Sequence, residues 1–213
     1  RARRHARTRR FRPRRAPGVS LHRQAQVPVP VSLTELLDSV LALLEPRLRT
    51  QGIHVVRRFE GETPVSGFPA ELRQVFSNLL INAAEAAGER SLITIHIYPS
   101  RRWSGDAWGT RVVIADSGPG IAPEIREHIF EPFFTTKGDK GSGVGLWVSQ
   151  GIVDKHKDVM SLFSRTRRAP TGTVFSVFLP QVGPQIETPQ ARRKRVRTER
   201  YPIQMRLDLP ASG

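Results

Sequence analysis

The chain has 213 residues, with 34 Lys and Arg against 19 Asp and Glu and a formal net charge of +15. That length suits one domain with extensions, or at most two small domains. The absence of cysteine excludes disulfides and thiolate metal sites, and the apolar runs fall short of the roughly 18 residues that a membrane helix needs.

The charge is unevenly placed. Residues 1–27 hold ten arginines and no acid, giving +10, and residues 182–213 carry +4, so the intervening segment is left with +1. The organisation read from this is an Arg-rich N-terminal extension (1–27), a near-neutral domain (28–181) long enough to bury a core, and a basic C-terminal tail (182–213). Arg- and Pro-rich ends read as disordered, solvated extensions. Phosphate attraction to nucleic acid or an anionic surface is the competing reading, but Phe11 alone interrupts the first tail with an aromatic ring. The start lacks both an initiator Met and the apolar core of a signal peptide, which reads as a fragment or a processed product.

Leu33, Leu36, Leu37, Val40, Leu41, Leu44 and Leu48 recur at helical spacing after Ser32, a suitable N-cap, and Gly52 stops the run, with Pro46 expected to bend or interrupt it. Residues 53–60 read as a strand, followed by a turn region through Gly67. A second helix begins at Pro69 and ends at Gly88. One stripe of it is Leu72, Val75, Phe76, Leu79, Ala83 and Ala86. Another is Glu71, Gln74, Asn78, Asn82 and Glu85. A polar stripe is ordinarily a wet face, yet asparagine in so apolar a run is neither a good helix former nor cheap to bury, and the two readings stand side by side.

Residues 91–98 and 110–116 read as strands separated by a loop, and the second runs directly into DSGPGIAPE. A short helix is expected around Glu124 to Ile129. IFEPFFTTKGDKGSGVGL then leads into a helix through His156, and residues 159–165 and 172–180 read as closing strands. Helices and strands alternate, but the later strands follow short loops, which favours a mixed α/β sandwich over a doubly wound parallel sheet. GSGVGL follows a loop and not a buried strand, so it is no dinucleotide fingerprint, and a P-loop is excluded because GxxxxGK[ST] is absent.

Taken singly, DxGxG reads first as a tight turn and GxGxG likewise as a flexible linker. In order, NLLINAAEA, DSGPGI, FEPFFTT, GSGVGL and TGTVF resemble the N box, first glycine box, F box, second glycine box and final glycine-threonine element of sensor histidine kinase catalytic domains. These belong to the superfamily shared with gyrase, the ninety-kilodalton heat-shock chaperones and mismatch-repair ATPases. The resemblance covers about residues 30–180 and implies a Bergerat-type ATP-binding fold, an α/β (α+β) two-layer sandwich with a mixed sheet packed against helices.

The resemblance implies ATP and Mg²⁺ as cofactors. Asn82 would ligate the metal, Asn78 would support the phosphates or the metal's water shell, and Glu71 and Glu85 are the acidic candidates for polarising an acceptor. Asp116 would accept from the adenine amine, with Gly118, Gly120 and Ile121 beside the base and Thr173 helping to hold it. Phe130, Phe133 and Phe134 would anchor the hinge of a lid carrying Thr135, Lys137, Lys140, Gly141 and Ser142. Gly143, Val144, Gly145 and Leu146 would open the following helix with backbone amides toward the anion.

The implied reaction moves the γ-phosphoryl group to a histidine on a dimerisation helix absent from this chain, and thence to a response regulator. None of the six histidines is followed by an acid, as the phosphoacceptor usually is, so the chain alone is expected not to autophosphorylate and to be mainly monomeric, the full kinase being a homodimer. The resemblance implies work on the cytoplasmic side, whatever anchors the full-length protein. Two departures stand out. Asn78 occupies the place where ATP-hydrolysing relatives put a glutamate, and Lys157 and Asp158 replace paired glycines, which leaves the register of the last strands open. An anti-sigma-type serine kinase and a regulatory nucleotide-binding module with nucleic-acid- or surface-binding tails are the alternative functions.

Overall fold

The computed structural model describes residues 27–62, 65–102, 107–138, 141–156, 159–166 and 170–181. The basic extensions at residues 1–26 and 182–213, and Lys140, lie outside the described residues. Helix α1 (Leu33–Thr50) starts where expected: Ser32 Oγ accepts from the Glu35 N–H at 3.2 Å. A second cap comes from further along the chain, because Glu62 Oε2 accepts from the N–H groups of Leu33 (2.8 Å) and Thr34 (3.1 Å). A carboxylate there satisfies orphan donors and complements the positive end of the helix. Pro46 neither ends nor interrupts α1. Ala42, whose carbonyl loses its helical partner to the proline, is exposed to water, so the cost of the missing bond is small.

Val29–Val31 (β1) and Val65–Gly67 (β3), the latter within the region read as a turn, pair antiparallel as a two-stranded sheet. The main sheet has five strands: β2 (His54–Phe59), β4 (Leu92–Arg101), β5 (Trp108–Asp116), β6 (Val159–Arg165) and β7 (Gly172–Pro180). Their order is β2-β4-β5-β7-β6, with β2 and β4 parallel and every other neighbouring pair antiparallel. The sheet is therefore mixed, as expected. Strands β4 and β5 run further than the sequence predicts, pairing through Pro99↔Thr110 to Arg101↔Trp108. Strand β2 ends opposite Ile97, so beyond that point β4 is an edge and tolerates a residue with no N–H to give. The predicted helix at 124–129 is a 3₁₀ turn at Pro123–Ile125 followed by turns, too short a segment to repay helix nucleation. The last strands are in register Val159↔Phe178 through Arg165↔Gly172 without the paired glycines.

Helix α2 (Pro69–Ala87) and helix α3 (Gly145–Lys155) join α1 over one face of the sheet. Leu72, Val75, Phe76, Leu79, Leu80 and Ala83 of α2 share one core with Ile93, Ile95, Ile97, Val112, Ile114, Phe175 and Val177 of the strands. Ala86, assigned to the apolar stripe by its spacing, is exposed instead, because it faces a cleft. Among the described residues, no helix is long and apolar enough to cross a membrane.

His156 ends α3 and is 1% exposed. Its Nδ1–H donates to Ile152 O (2.8 Å) and its Nε2 accepts from the Phe68 N–H (3.1 Å), which fixes the neutral tautomer and ties α3 to the start of α2. Burial pushes its pKa below the ordinary value, reinforced by Lys155 and opposed by the Ile152 carbonyl and Glu71.

Two outcomes are expected. Phe76→Ala removes a fully buried ring from the middle of this core and lowers unfolding stability by about 3–5 kcal/mol in denaturant titrations. For His156, a depressed folded pKa means that its contribution is complete above the unfolded value of 6.5 and declines as the pH falls below it, by at most about 1.4 kcal/mol per pH unit. Wild type should lose stability from pH 7.5 to 5.5 relative to His156→Gln, whose curve is flatter; parallel curves would refute the assignment.

Candidate active site

A cleft of about 540 Å³ opens between α2, the ends of β5 and β7, and the loop preceding α3. Helical periodicity builds its first wall: Asn78, Ile81, Asn82, Glu85 and Ala86 fall on one face of α2, adjacent to the stripe buried in the core. The polar stripe read from the sequence is therefore divided. Gln74 is exposed to water, Asn78 and Asn82 are half-buried in the cleft, and Glu71 is not on the cleft wall but pairs with Lys155 at 2.5 Å.

The strands supply the second wall. Asp116, the last residue of β5, is 7% exposed, and its Oδ1 accepts from the N–H groups of Gly118 (2.9 Å) and Thr173 (3.3 Å). Burial pushes its pKa up to about 6, against the pull of those two donors. Oδ2 has no hydrogen-bond partner among the described residues. Gly118 is required by close approach: a Cβ there would sit 2.5 Å from the Ala86 carbonyl oxygen at the end of α2. Ser164 of β6 pins the loop that follows, accepting from the Ile121 N–H at 2.6 Å and donating to Gly172 O at 3.0 Å. Gly120, Ile121 and Thr173 line the cleft with Ile125 and Phe175.

The third side is formed by residues 134–137, 141 and 142. Its ends are pinched together where the Phe133 N–H donates to Gly143 O at 3.0 Å. Gly143 has φ +63° and a Cβ would lie 2.4 Å from the Phe133 carbonyl carbon, so only glycine suits the pinch. Phe130 and Phe134 pack against the core as expected of hinge anchors. Phe133, expected with them, is 77% exposed; its left-handed backbone (φ +66°) turns the ring outward, and its anchoring is through the backbone bond alone. Phe134, Thr135, Lys137, Gly141, Ser142, Gly143, Gly145 and Leu146 all line the cleft, whereas Gly118, Phe130 and Val144 stand behind it.

Polar contacts knit these walls together. Asn78 Nδ2 donates to Gly145 O (3.0 Å) and Ser149 Oγ (3.1 Å), fastening α2 to the first turn of α3. Lys137 Nζ donates to Asn82 Oδ1 at 3.1 Å and to Glu85 Oε2, while Glu85 Oε1 takes Arg47 of α1 at 3.0 Å. Burial alone would raise the pKa of Glu85, but the hydrogen bonds and charges of Lys137 and Arg47 outweigh it and hold the carboxyl below its usual range. Sequence reasoning missed Arg47, Ser149, Ser164, Ile125, Ile129 and Phe175, which long-range folding brings in. It also missed Ile81, which the helical spacing of Asn78, Asn82 and Glu85 could have revealed.

Comparison with known proteins agrees with this geometry. Residues 67–183 match the family described as histidine kinase-, DNA gyrase B- and HSP90-like ATPase. The sensor histidine kinase ZraS of Salmonella typhi is 36% identical over 160 residues, which are 73% of this chain and 32% of that protein. The catalytic domain of the histidine kinase ThkA is 31% identical with a TM-score of 0.62, over 74% of this chain and 97% of that one. A structure of ThkA in complex with the response regulator protein TrrA is 30% identical with a TM-score of 0.58, over 72% of this chain and 42% of that one. The chain spans between 23% and 41% of the length of its first curated relatives. With the family's match covering most of the described fold, and a whole histidine kinase catalytic domain superposing on it, the chain belongs to the histidine kinase-, DNA gyrase B- and HSP90-like ATPase family as a catalytic ATP-binding domain of the histidine kinase kind.

Proposed function

We propose that the cleft binds ATP with Mg²⁺ and that the chain directs the γ-phosphoryl group to a histidine on helices outside it, from which a response regulator's aspartate receives it. The observation that carries this reading is the pairing of walls. A buried carboxylate with one oxygen uncommitted, Asp116, lies among Ile121, Ile125 and Phe175, and the facing helix presents the Asn82 amide oxygen beside a lid cation. The first recognises a planar base that offers an amine. Adenine does so, whereas guanine offers a carbonyl at that edge. The second suits phosphates and their metal.

The donor set fits Mg²⁺, since Asn82 supplies a hard oxygen and an ammonium already rests against it. Bound magnesium would supply positive charge to the nucleotide phosphates. Helix α3 presents its first N–H groups without a side-chain cap, with Gly145 and Leu146 on the cleft, so those donors are available to an anion. Domain and lid residues then position and neutralise charge, the usual means of phosphoryl-transfer catalysis. In the transfer, the acceptor imidazole nitrogen forms a bond to the γ-phosphorus as the bond to the β–γ bridging oxygen breaks, and ADP leaves. Asn78 spends its amide N–H groups on α3 and has no base to offer a water, which favours a protein acceptor over hydrolysis. The ThkA complex with TrrA supports a response regulator as the downstream partner.

Calorimetric titration with ADP tests both walls. Asn82→Ala should weaken binding by about tenfold or more in Mg²⁺ and remove most of the metal dependence, without changing the preference for ADP over GDP. Because the adenine amine donates to the ionised carboxylate, affinity should be complete above about pH 6 and fall as Asp116 protonates below it. Asp116→Asn should lose both the base preference and this component of the pH profile, the titration of the phosphates being common to both proteins. Equal binding of ADP and GDP by folded wild type would sink the reading.

A further inference from the structure

Glu85 joins three elements that are distant in sequence. One carboxylate oxygen is held by Arg47 from α1 and the other by Lys137 from the lid, and the same ammonium donates to Asn82 Oδ1. Within the lid, the bonds are short-range: the Lys137 N–H donates to Thr135 Oγ1 at 3.1 Å and the Gly141 N–H to Gly138 O at 3.2 Å. Among the described residues, the Lys137 side chain makes the lid's hydrogen bonds to α2. With side-chain exposures of 40% and 30%, the pair is open to solvent, so it contributes a modest, salt-sensitive hold on the lid.

We propose that Glu85 is a latch for the lid: with no nucleotide bound it holds the Lys137 ammonium on Asn82 as a resident cation, and metal-bearing nucleotide releases the lid by displacing that ammonium. Arg47 is a positioning residue, fixing the orientation of the Glu85 carboxylate from outside the cleft. The displacement follows from charge, because Asn82 Oδ1 cannot serve an ammonium and a divalent ion together and the two cations repel at that distance. Lys137 is thereby kept near the cleft while it is empty and freed when phosphates arrive for it to meet. This step rests on the reading of Asn82 as the metal ligand, whereas the latch itself does not.

Hydrogen exchange on the nucleotide-free chain tests the latch separately from nucleotide binding. The amides of residues 134–138, 141 and 142 should exchange about two- to fivefold faster in Glu85→Gln than in wild type, and equally fast in Lys137→Met. The double variant should be no faster than either single one, since both remove the same contact. Arg47→Met should give a smaller increase. Mg²⁺ with ADP should erase the difference between wild type and Glu85→Gln. Unchanged exchange in both single variants, or additive effects in the double variant, would overturn the latch whatever the nucleotide does. A difference that persists in the loaded state would overturn the release. Calorimetry showing no binding of Mg²⁺ and ADP by wild type would instead remove the metal reading and the release with it, leaving the nucleotide-free exchange to decide the latch.

Discussion

Burial of α2 against the sheet is the constraint from which the cleft follows. Leu72, Val75, Phe76, Leu79 and Ala83 fix the rotation of the helix about its axis, because turning it would expose an apolar stripe that shares a core with three strands. Once that rotation is set, Asn78, Asn82 and Glu85 have one direction in which to face. The Asn78 bonds to Gly145 O and Ser149 Oγ then place the start of α3, and the Gly118 contact with the Ala86 carbonyl places the end of the strand wall. Each wall of the site is thus located relative to a helix that is itself located by hydrophobic packing.

Within this frame, charges are distributed by the two environments that the walls create. Asp116 is buried among apolar groups with two backbone donors, and desolvation leaves it with a pKa near 6. Glu85 stands between two cations and stays ionised well below that. Two carboxyl groups in one cleft therefore differ in protonation behaviour because one is desolvated without a countercharge and the other has two.

Much of this was legible in the sequence, and the reasons differ by element. Ser32, the leucine spacing of α1, and the Pro69 and Gly88 boundaries of α2 are local signals, and local signals survive folding. The glycine motifs were legible because close approach and positive φ leave no substitute, as at Gly118 and Gly143. The pairing of β1 with β3 was not, since three-residue strands carry too little alternation to be distinguished from turn. The full length of β4 was hidden because Pro99 reads as an end unless one knows that β2 has already stopped. Glu85 could be singled out from its helix, but its partners Arg47 and Lys137 lie 38 and 52 residues away, and no spacing rule connects them. Which of the stripe's polar residues face the cleft follows from the packing of α2, a tertiary fact that the helical spacing does not contain.

His156 shows what such packing withholds as well as what it provides. A histidine can act as a nucleophile only through a ring nitrogen with a free lone pair and an open approach. In His156, Nδ1 carries its proton into the Ile152 carbonyl, Nε2 spends its lone pair on the Phe68 N–H, and the ring lies edge-on to Phe68 beneath the surface. The imidazole that joins α2 to α3 is therefore chemically silent: incoming phosphorus would find neither a lone pair nor a path to it without first separating the two helices that form the cleft.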